Sequence, residues 1–379
     1  MEFSCDKKEL QAGVSTVERI VATRSTLPII GNILFEASKN GLKLSANNLE
    51  IGIELGIKAS VNKEGAILLP AKTLSGIVSK LPETAVSFKL AENGTMKISY
   101  DQSQFNLHSL PPDEFPALAK VKEGKSFSVD PDVFVSMVKQ TIFSVSSSEE
   151  KYVLTGILLE VGRSHLSGDQ SNIRMVATDG YRLAKRSEKI ETKGDQVINL
   201  IVPARALSEA VKMVEMGKGT DLKITASTEQ ISFRYGEAFV VSRLIQGQFP
   251  DYKQVIPKKS VTKVTIKTKE FLKAAERAAV IASGSANVTA FEVKNGKLYL
   301  TANTPDVGNV TEVISAEIKG GEKARASFNI RLITDVLNAI GTEKVIIELG
   351  EGLSPGVIRP EGNTDYLYIV MPIRTQEAG

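Results

Sequence analysis

Residues whose types and spacing support catalytic chemistry are scarce in this sequence. The two histidines, His108 and His165, lie in strand or turn contexts without a cysteine or aspartate constellation, which favours surface or strand roles over metal ligation. Asp179 sits in an Asp-Gly pair like the loop aspartate of an aspartic protease, but no matching second loop occurs, so a turn at a strand end is preferred. The sequence also lacks the G-x-x-x-x-G-K-[ST], G-x-G-x-x-G and C-x-x-C motifs. We therefore expect no catalytic residue, no cofactor and no metal ion.

Lysine and arginine recur instead, on the sides of predicted helices that lie opposite apolar stripes. These cations are Lys72, Lys80, Lys139, Arg205, Lys212, Lys273, Arg277 and Arg331. An ordinary solvated surface explains any one helix, but it does not explain the recurrence along the whole chain. Aromatic residues do not interleave with the cations and tryptophan is absent, so base stacking is not the expected mode of contact. Cations without base-reading partners predict contact with phosphates, without sequence preference.

Six amphipathic helices are predicted to position these cations. Asp6, Asp130 and Thr268 are the predicted N-caps of the first, third and fifth helices, and the second helix is expected to stop at Pro82. Apolar residues at helical spacing define the core sides of five helices: Leu10, Val14, Val17 and Val21; Leu74, Ile77, Val78 and Leu81; Phe134, Met137, Val138 and Ile142; Leu207, Ala210, Val211 and Val214; and Ile333, Val336, Leu337 and Ile340.

Two stretches of the chain are nearly identical in pattern, which indicates an internal duplication. They are FEASKNGLKLSAN at 35–47 and FEVKNGKLYLTAN at 291–303. Each pattern predicts a strand, an Asn-Gly turn and a second strand. A degenerate middle copy has its strands at 159–161 and 175–179. Further echoes are LPAK at 69–72 with VPAR at 202–205, and Phe-Pro at 115–116 with Phe-Pro at 249–250.

The repeats predict three domains, at 1–122, 123–256 and 257–379, with lysine-rich linkers at 120–125 and 256–262. Each domain is expected to be α+β, with two helices packed on antiparallel sheets. A net charge of only +3 means that any nucleic-acid contact must come from local arrangement of charge. The single cysteine, Cys5, fits a reducing compartment, and neither a signal peptide nor a membrane span is visible, so we expect a soluble cytoplasmic protein.

Four further motifs resemble a known family, the beta subunit of bacterial DNA polymerase III, which is the sliding DNA clamp. They are TLPIIGN at 26–32, VATDGYRLA at 176–184, FPDY at 249–252 and IVMPIR at 369–374, and the resemblance covers essentially the whole chain. It implies a DNA clamp fold in which three repeated domains per chain, in two chains arranged head to tail, close a dimeric ring around duplex DNA. The basic helix sides would line the hole. No catalysis is then required.

The resemblance also implies a groove that binds short partner peptides between the second and third domains. The matching positions are Leu154, Thr178, Gly180, Tyr181, Arg182, Leu183, Pro250, Val255, Asn329, Ile369, Val370, Met371, Pro372, Ile373 and Arg374. Leu183, Pro250, Val370, Met371 and Pro372 are expected to form its apolar floor, and Arg182 and Arg374 to pair with acidic peptide residues. The family often has histidine where Tyr181 stands, and the residues at 375–379 extend past its usual end.

Other positions carry over in the same way. Arg24 and Ser148 match loops that touch DNA in the family, and Thr73, Ile77, Val280 and Ile281 match its dimer contacts, although Ile77 also fits the core of its own helix. The implied partners are double-stranded DNA, a replicative polymerase, a clamp loader, repair proteins and a second copy of the chain, but no membrane. Two hypotheses are carried forward: a non-catalytic processivity clamp, and a nucleic-acid-processing enzyme with an unrecognised site.

Overall fold

A computed structural model describes residues 1–22, 27–121, 124–163, 171–191, 197–217, 219–257, 262–321, 324–350 and 352–374. Arg24, His165 and parts of both predicted linkers therefore lie outside the described residues. The chain divides into two compact units. Unit 1 comprises Met1–Pro131 and Arg205–Leu244, and unit 2 comprises Asp132–Ala204 and Ile245–Gly379.

The described residues form six α-helices at the places predicted from the sequence. They are α1 (Lys7–Glu18), α2 (Ala71–Val78), α3 (Pro131–Thr141), α4 (Ala204–Met216), α5 (Thr268–Ala282) and α6 (Ile330–Ala339). Asp6 caps α1 as predicted, because its side chain accepts a hydrogen bond from the Lys8 amide at 2.8 Å. In the described part of the chain, no helix is both long and apolar enough to cross a membrane.

Two predictions about helix ends were wrong. Lys267, not Thr268, is the N-cap of α5, because Lys267 has the extended backbone of a cap and Thr268 is already helical with its side chain buried. Helix α2 ends at Val78 rather than at Pro82, so Lys80 lies in the turn that follows the helix.

Unit 1 contains two antiparallel sheets, with strands numbered along the chain. In spatial order, the five-stranded sheet is β5 (Ser60–Lys63), β1 (Glu2–Asp6), β7 (Ala85–Leu90), β8 (Thr95–Tyr100) and β9 (Ser103–His108). The eight-stranded sheet is β10 (Lys125–Val129), β15 (Leu222–Ala226), β16 (Gln230–Tyr235), β17 (Ala238–Arg243), β4 (Ile51–Ile57), β3 (Gly41–Asn47), β2 (Asn32–Ser38) and β6 (Gly65–Pro70). Strands β17 and β4 thus join the predicted second domain to the first in one sheet.

Unit 2 also contains two antiparallel sheets. The nine-stranded sheet is β14 (Ile198–Pro203), β11 (Gly156–Arg163), β12 (Ser171–Thr178), β13 (Arg182–Ile190), β26 (Tyr366–Val370), β25 (Gly356–Pro360), β24 (Lys344–Leu349), β18 (Thr262–Lys267) and β22 (Glu317–Gly320). The four-stranded sheet is β21 (Gly308–Ser315), β20 (Lys297–Thr304), β19 (Val288–Lys294) and β23 (Ala324–Asn329). The pairing of β13 with β26 repeats the β4–β17 junction of unit 1.

Both duplicated hairpins form, β2–β3 in unit 1 and β19–β20 in unit 2. The predicted Asn-Gly turn is correct for the second hairpin and wrong for the first, where Ser38 pairs with Gly41 and the two-residue turn is Lys39-Asn40. Asn295 and Gly296 both have positive φ, of 52° and 70°, as a two-residue type I′ turn requires. The phenylalanine at the start of each duplicated stretch is buried and packs against another aromatic ring. Phe35 lies beside Phe88 in the buried aromatic cluster of unit 1, with ring centroids 6.2 Å apart, and Phe291 meets Phe328 edge-on at 5.2 Å in unit 2.

Candidate functional site

The predicted groove positions all lie in unit 2, where two distant parts of the chain pair. Arg182 of β13 stands opposite Val370 of β26, and Leu183 stands opposite Ile369. Beyond the strand end, the amide of residue 371 donates a hydrogen bond to the Tyr181 carbonyl at 2.9 Å. Residues 178–183 and 369–371 are therefore held side by side by backbone hydrogen bonds.

The turn between β12 and β13 presents Tyr181 to solvent. The Asp179 carboxylate accepts hydrogen bonds from the amides of Tyr181 and Arg182, at 2.8 and 3.0 Å, and so fixes the turn. Gly180 has a φ of 94°, a conformation that disfavours residues with a side chain. The Tyr181 side chain projects from this rigid turn and is 64% exposed.

The predicted floor residues divide by burial. Met371 is 39% exposed and Pro250 is exposed as well, as is Val255, a groove position outside the predicted floor, at 44%. Leu183 and Val370, at 3% and 0% exposure, lie beneath the surface. Both residues belong to buried strand interiors that support the exposed residues, and their role in the groove floor stays a prediction.

Arg182 is already engaged by two carboxylates. Its Nε donates to Asp179 at 3.0 Å, its Nη1 donates to Asp335 of α6, and its guanidinium lies 5.5 Å from the centroid of the Phe143 ring. Burial lowers the pKa of Arg182, but the hydrogen bond to Asp335 and the charge of Asp179 raise it overall. The expectation that Arg182 is available to acidic peptide residues is corrected accordingly, whereas Arg374 is exposed.

Lys151 is a neighbour of the groove that sequence reasoning treated as part of a solvated loop. Its Nζ donates to the Asp179 carbonyl at 2.8 Å and lies 4.9 Å from the centroid of the Tyr181 ring. Nothing in the spacing of Lys151 and Tyr181 along the chain indicates this contact, because it depends on the turn that Asp179 forms.

The remaining groove positions are tied to neighbouring elements. The Leu154 carbonyl accepts a hydrogen bond from the Ser146 amide at 2.8 Å. The Asn329 side chain caps α6 by accepting from the Arg331 amide at 3.0 Å, and the Ile373 amide donates to Ser327 at 2.7 Å. Pro372 is half-buried, and Thr178 donates from its hydroxyl to the Arg182 carbonyl at 2.6 Å.

Four of the predicted DNA-facing cations are exposed and, within the described ranges, have no carboxylate at ion-pairing distance. They are Lys72, Lys80, Lys273 and Arg331. Lys139 and Ser148 are also exposed. The first four, Lys72, Lys80, Lys273 and Arg331, keep their charge and their hydrogen-bond donors available for an anionic partner.

Two cations of α4 have partners within unit 1. Arg205 donates to the Arg19 carbonyl at 3.0 Å. Lys212 pairs with Glu209 at 2.9 Å, and Glu209, which is 4% exposed, also accepts from Arg19 at 2.9 Å. Because one carboxylate serves both Arg19 and Lys212, this group keeps a net positive charge.

Arg277 is the cation most strongly engaged by an acid. Its Nε and Nη2 donate to the two oxygens of Glu312 on β21, at 2.8 and 2.6 Å. The hydrogen bond from Arg277 lowers the pKa of Glu312, so that the carboxylate stays ionised. The position of Arg277 on its predicted helix does not indicate this neutralisation, since Glu312 comes from a distant strand.

The positions predicted for dimer contact differ in exposure. Val280 is 70% exposed and Thr73 is exposed, whereas Ile77 and Ile281 are half-buried. Two sheets also have an edge strand, among the described residues, that carries an exposed apolar side chain. Strand β9 is an edge of the five-stranded sheet, with Phe105 38% exposed, and β21 is an edge of the four-stranded sheet, with Val313 47% exposed. Edge strands with exposed apolar residues are templates for pairing with another chain.

Comparison with known proteins decides the family. Models described as the N-terminal, central and C-terminal domains of the DNA polymerase III beta subunit match residues 1–119, 128–251 and 253–374. The chain belongs to this family. A beta sliding clamp from Synechocystis is 32% identical, and one from Bacillus subtilis is 30% identical; each match covers 99% of this chain and at least 99% of the relative.

Solved structures of the family confirm the predicted clamp fold of three repeated domains. The crystal structure of the Bacillus subtilis sliding clamp superposes with a TM-score of 0.91, at 29% identity, and covers 99% of both chains. A Pseudomonas aeruginosa clamp bound to griselimycin gives a TM-score of 0.92 at 27% identity, with coverage of 99% of this chain and all of that one. Members of this family are DNA sliding clamps, which give replicative polymerases their processivity.

Proposed function

We propose that this chain is a non-catalytic processivity clamp. Two copies close a ring around duplex DNA, and the ring tethers the replicative polymerase, the clamp loader and repair proteins without sequence specificity. The observation that carries the proposal is the full-length match to sliding clamps, since all three repeated domains are present in the family order. The domain limits 1–122, 123–256 and 257–379 and a cytoplasmic location are part of the same proposal.

Contact with DNA is assigned to the exposed cations of the helices and of the turn after α2. Lys72, Lys80, Lys273 and Arg331 have the strongest support, because they are exposed and have no carboxylate partner in the described part of the chain. Lys139, Arg205, Lys212, Ser148 and Arg24 contribute around them. Arg277 contributes less, since Glu312 accepts from both Nε and Nη2 on one edge of its guanidinium. Diffuse attraction to phosphates allows a ring to slide, whereas specific base contacts would hold it in place.

Partner peptides are assigned to the surface formed by Tyr181, Val255, Pro250 and Met371, with the buried strands β13 and β26 beneath it. The exposed apolar residues come from three separate segments of the chain, an arrangement suited to anchoring a short linear peptide. Met371 adds an adaptable side chain, which suits a site shared by several partners. The expected peptides carry a glutamine and a leucine-phenylalanine pair.

Ring closure is assigned to Thr73, Ile77, Val280 and Ile281 together with edge strands β9 and β21. Val280 and Val313 support this assignment, because large aliphatic side chains are exposed beside an unpaired strand edge. A twofold dimer would use the contact twice, with the first domain of each chain against the third domain of the other.

Processive synthesis tests the proposed function. A polymerase from the same source extends a primer on a singly primed circular template, with clamp loader and ATP, in the presence or absence of this chain. We expect full-length products from single binding events only when the chain is present, and short products with the Met371→Ala variant at limiting concentration. Equal product lengths with and without the chain would refute the tethering role.

A further inference from the structure

Unit 1 contains a cavity that the proposed clamp function does not use. Its volume is about 490 Å³, and it lies on the sheet face formed by β2, β3 and β4, beneath the segment at 112–120. Volumes of this size are typical of sites for small ligands. Phe115, Leu118 and Phe239 supply apolar walls, and the exposed residues Lys120 and Arg234 stand at its margin.

The floor of the cavity is polar. Lys43 pairs with Glu36 at 2.8 Å and with Glu54 at 3.7 Å. Ser45 also lines the cavity; the residue is 1% exposed, and its Oγ has no hydrogen-bond partner in the described part of the chain. The Ser45 hydroxyl adds to the polar character of the floor beside this ion-paired group.

The internal repeat shows what fills the corresponding place in unit 2. Glu36 and Lys43 are cross-strand partners in the β2–β3 hairpin, and Glu160 and Arg174 are partners in the β11–β12 hairpin. The Phe-Pro pair at 115–116 is followed at the second position by Leu118, and the pair at 249–250 is followed there by Tyr252.

Tyr252 occupies its site completely. Its hydroxyl donates to Glu160 at 2.8 Å and accepts from Arg174 at 3.3 Å, and the residue is 6% exposed. In unit 2 the Tyr252 phenol therefore lies against the carboxylate of Glu160 and the guanidinium of Arg174. Its hydroxyl both donates and accepts a hydrogen bond.

Leu118 leaves the equivalent place in unit 1 empty because it is directed elsewhere. The strand position of Leu183 in unit 2 corresponds to Gly52 in unit 1. Leu183 pairs with the residue four positions after Arg174, and Gly52 pairs with the residue four positions after Lys43. A Cβ on Gly52 would lie 1.7 Å from the Leu118 Cδ2, so the leucine fills the space that a side chain at residue 52 would need. No side chain equivalent to Tyr252 therefore covers the carboxylates and the ammonium group of Glu36, Glu54 and Lys43 in the described part of unit 1.

We propose that this cavity binds a phenolic ring, free or as a tyrosine side chain of another polypeptide. The ring lies between Phe115, Leu118 and Phe239, as the Tyr252 ring lies within its own cluster. Its hydroxyl donates to Glu36 and accepts from Lys43, the counterparts of Glu160 and Arg174. The site shares no residue with the proposed DNA and peptide contacts. The experiment below therefore tests it independently of the proposed clamp function.

Titration calorimetry of the intact chain with para-cresol, the side chain of tyrosine as a free molecule, tests the site. We expect one para-cresol per chain, bound at least about tenfold more tightly than toluene, because a hydrogen bond to a charged group contributes about 1.5–3 kcal/mol and 1.4 kcal/mol is tenfold in affinity. N-acetyltyrosinamide, titrated in parallel, distinguishes the two sources: its binding supports a tyrosine of another polypeptide, and binding of para-cresol alone supports a free phenol.

Leu118→Tyr supplies the phenol that the other repeat carries and should abolish para-cresol binding. Leu353→Tyr places the same substitution at an exposed leucine of unit 2 and should leave binding unchanged. If Leu118→Tyr does not fold, Ala66→Leu fills the cavity from the sheet and should weaken binding at least about tenfold. No saturable para-cresol binding to the natural chain, or binding that survives both cavity-filling substitutions, would overturn the site.

Discussion

Arg182 and Asp335 form an ion pair across 153 residues of sequence, and this pair connects the turn that presents Tyr181 to helix α6. Asp179 holds the same guanidinium from the other side. The exposed groove surface therefore depends on a partly buried charge cluster beneath it.

Removal of the Arg182 guanidinium should destabilise unit 2. We expect Arg182→Ala to lower the free energy of unfolding by about 2 kcal/mol, because two carboxylates lose their shared partner in a half-buried place. The stability of Arg182→Lys should fall between those of the natural chain and Arg182→Ala, since a single ammonium cannot donate in the forked geometry of the guanidinium. Urea unfolding measures the effect, and Arg331→Ala, at an exposed arginine, should change stability by less than about 0.5 kcal/mol. Equal effects at both sites would contradict the structural role.

Peptide binding should depend on Met371 and not on exposed methionine in general. We expect Met371→Ala to weaken binding of a glutamine and leucine-phenylalanine peptide by about 1–2 kcal/mol, because an apolar anchor contact is lost while the backbone bond to Tyr181 is kept. Fluorescence anisotropy provides the affinity. Met216→Ala, at a 48% exposed methionine of unit 1, is the matched control. The groove is misplaced if both variants bind like the natural chain.

The proposed DNA contacts should differ in strength according to their protein partners. Each phosphate contact contributes roughly 0.9 to the slope of log affinity against log salt. We expect Lys273→Gln to reduce that slope measurably and Arg277→Gln to reduce it by less than half as much, because Glu312 already neutralises Arg277. Salt titrations of binding to a short duplex measure both slopes. A larger loss at Arg277 would show that its pair with Glu312 opens when DNA binds.

Dimer formation should be sensitive to charge at Val280. Because this side chain is 70% exposed in the single chain, Val280→Asp should not disturb folding, yet it would bury a charge in the proposed interface. Sedimentation should then give the mass of one 41.0 kDa chain instead of two. Leu353→Asp, at a 45% exposed leucine of unit 2, should remain dimeric. A stable dimer of the Val280→Asp variant would place the interface elsewhere.

Cys5 should be unreactive in the folded chain. Burial, and then the charges of Asp6 and Glu9, raise the pKa of this thiol to about 12 from its ordinary value near 9. Since the folded pKa is the higher one, its contribution to stability is complete below pH 9 and is lost between pH 9 and 12. A thiol reagent at pH 8 should label Cys5 only after unfolding, and rapid labelling of the native chain would contradict its burial.

Local chemistry made much of the fold predictable. The Asp6 cap, the Asn-Gly turn at 295–296 and the apolar helix stripes depend on residues within a few positions of one another. Contacts between residues far apart in the sequence could not be read in this way. Neither the pairing of Arg182 with Asp335 nor that of Arg277 with Glu312 follows from spacing, because each partner reaches its place through the sheet topology.

Prediction from pattern also failed where two neighbouring residues compete for one role. Thr268 is a better capping residue than Lys267 by type, but the strand β18 continues through Lys267 and the helix begins directly after it. The exposure of the groove residues could not be predicted either. Leu183 and Met371 are both apolar, and their positions in the sheet determine which is buried.

Topological retention on DNA tests the central claim most directly. The chain is loaded on a nicked circular duplex with the clamp loader of its own source, separated from free protein by gel filtration, and followed before and after one restriction enzyme cuts the circle. A closed ring should stay with the circle and leave the linear product within minutes, even in salt that abolishes direct binding. Equal retention on circular and linear DNA would contradict encirclement.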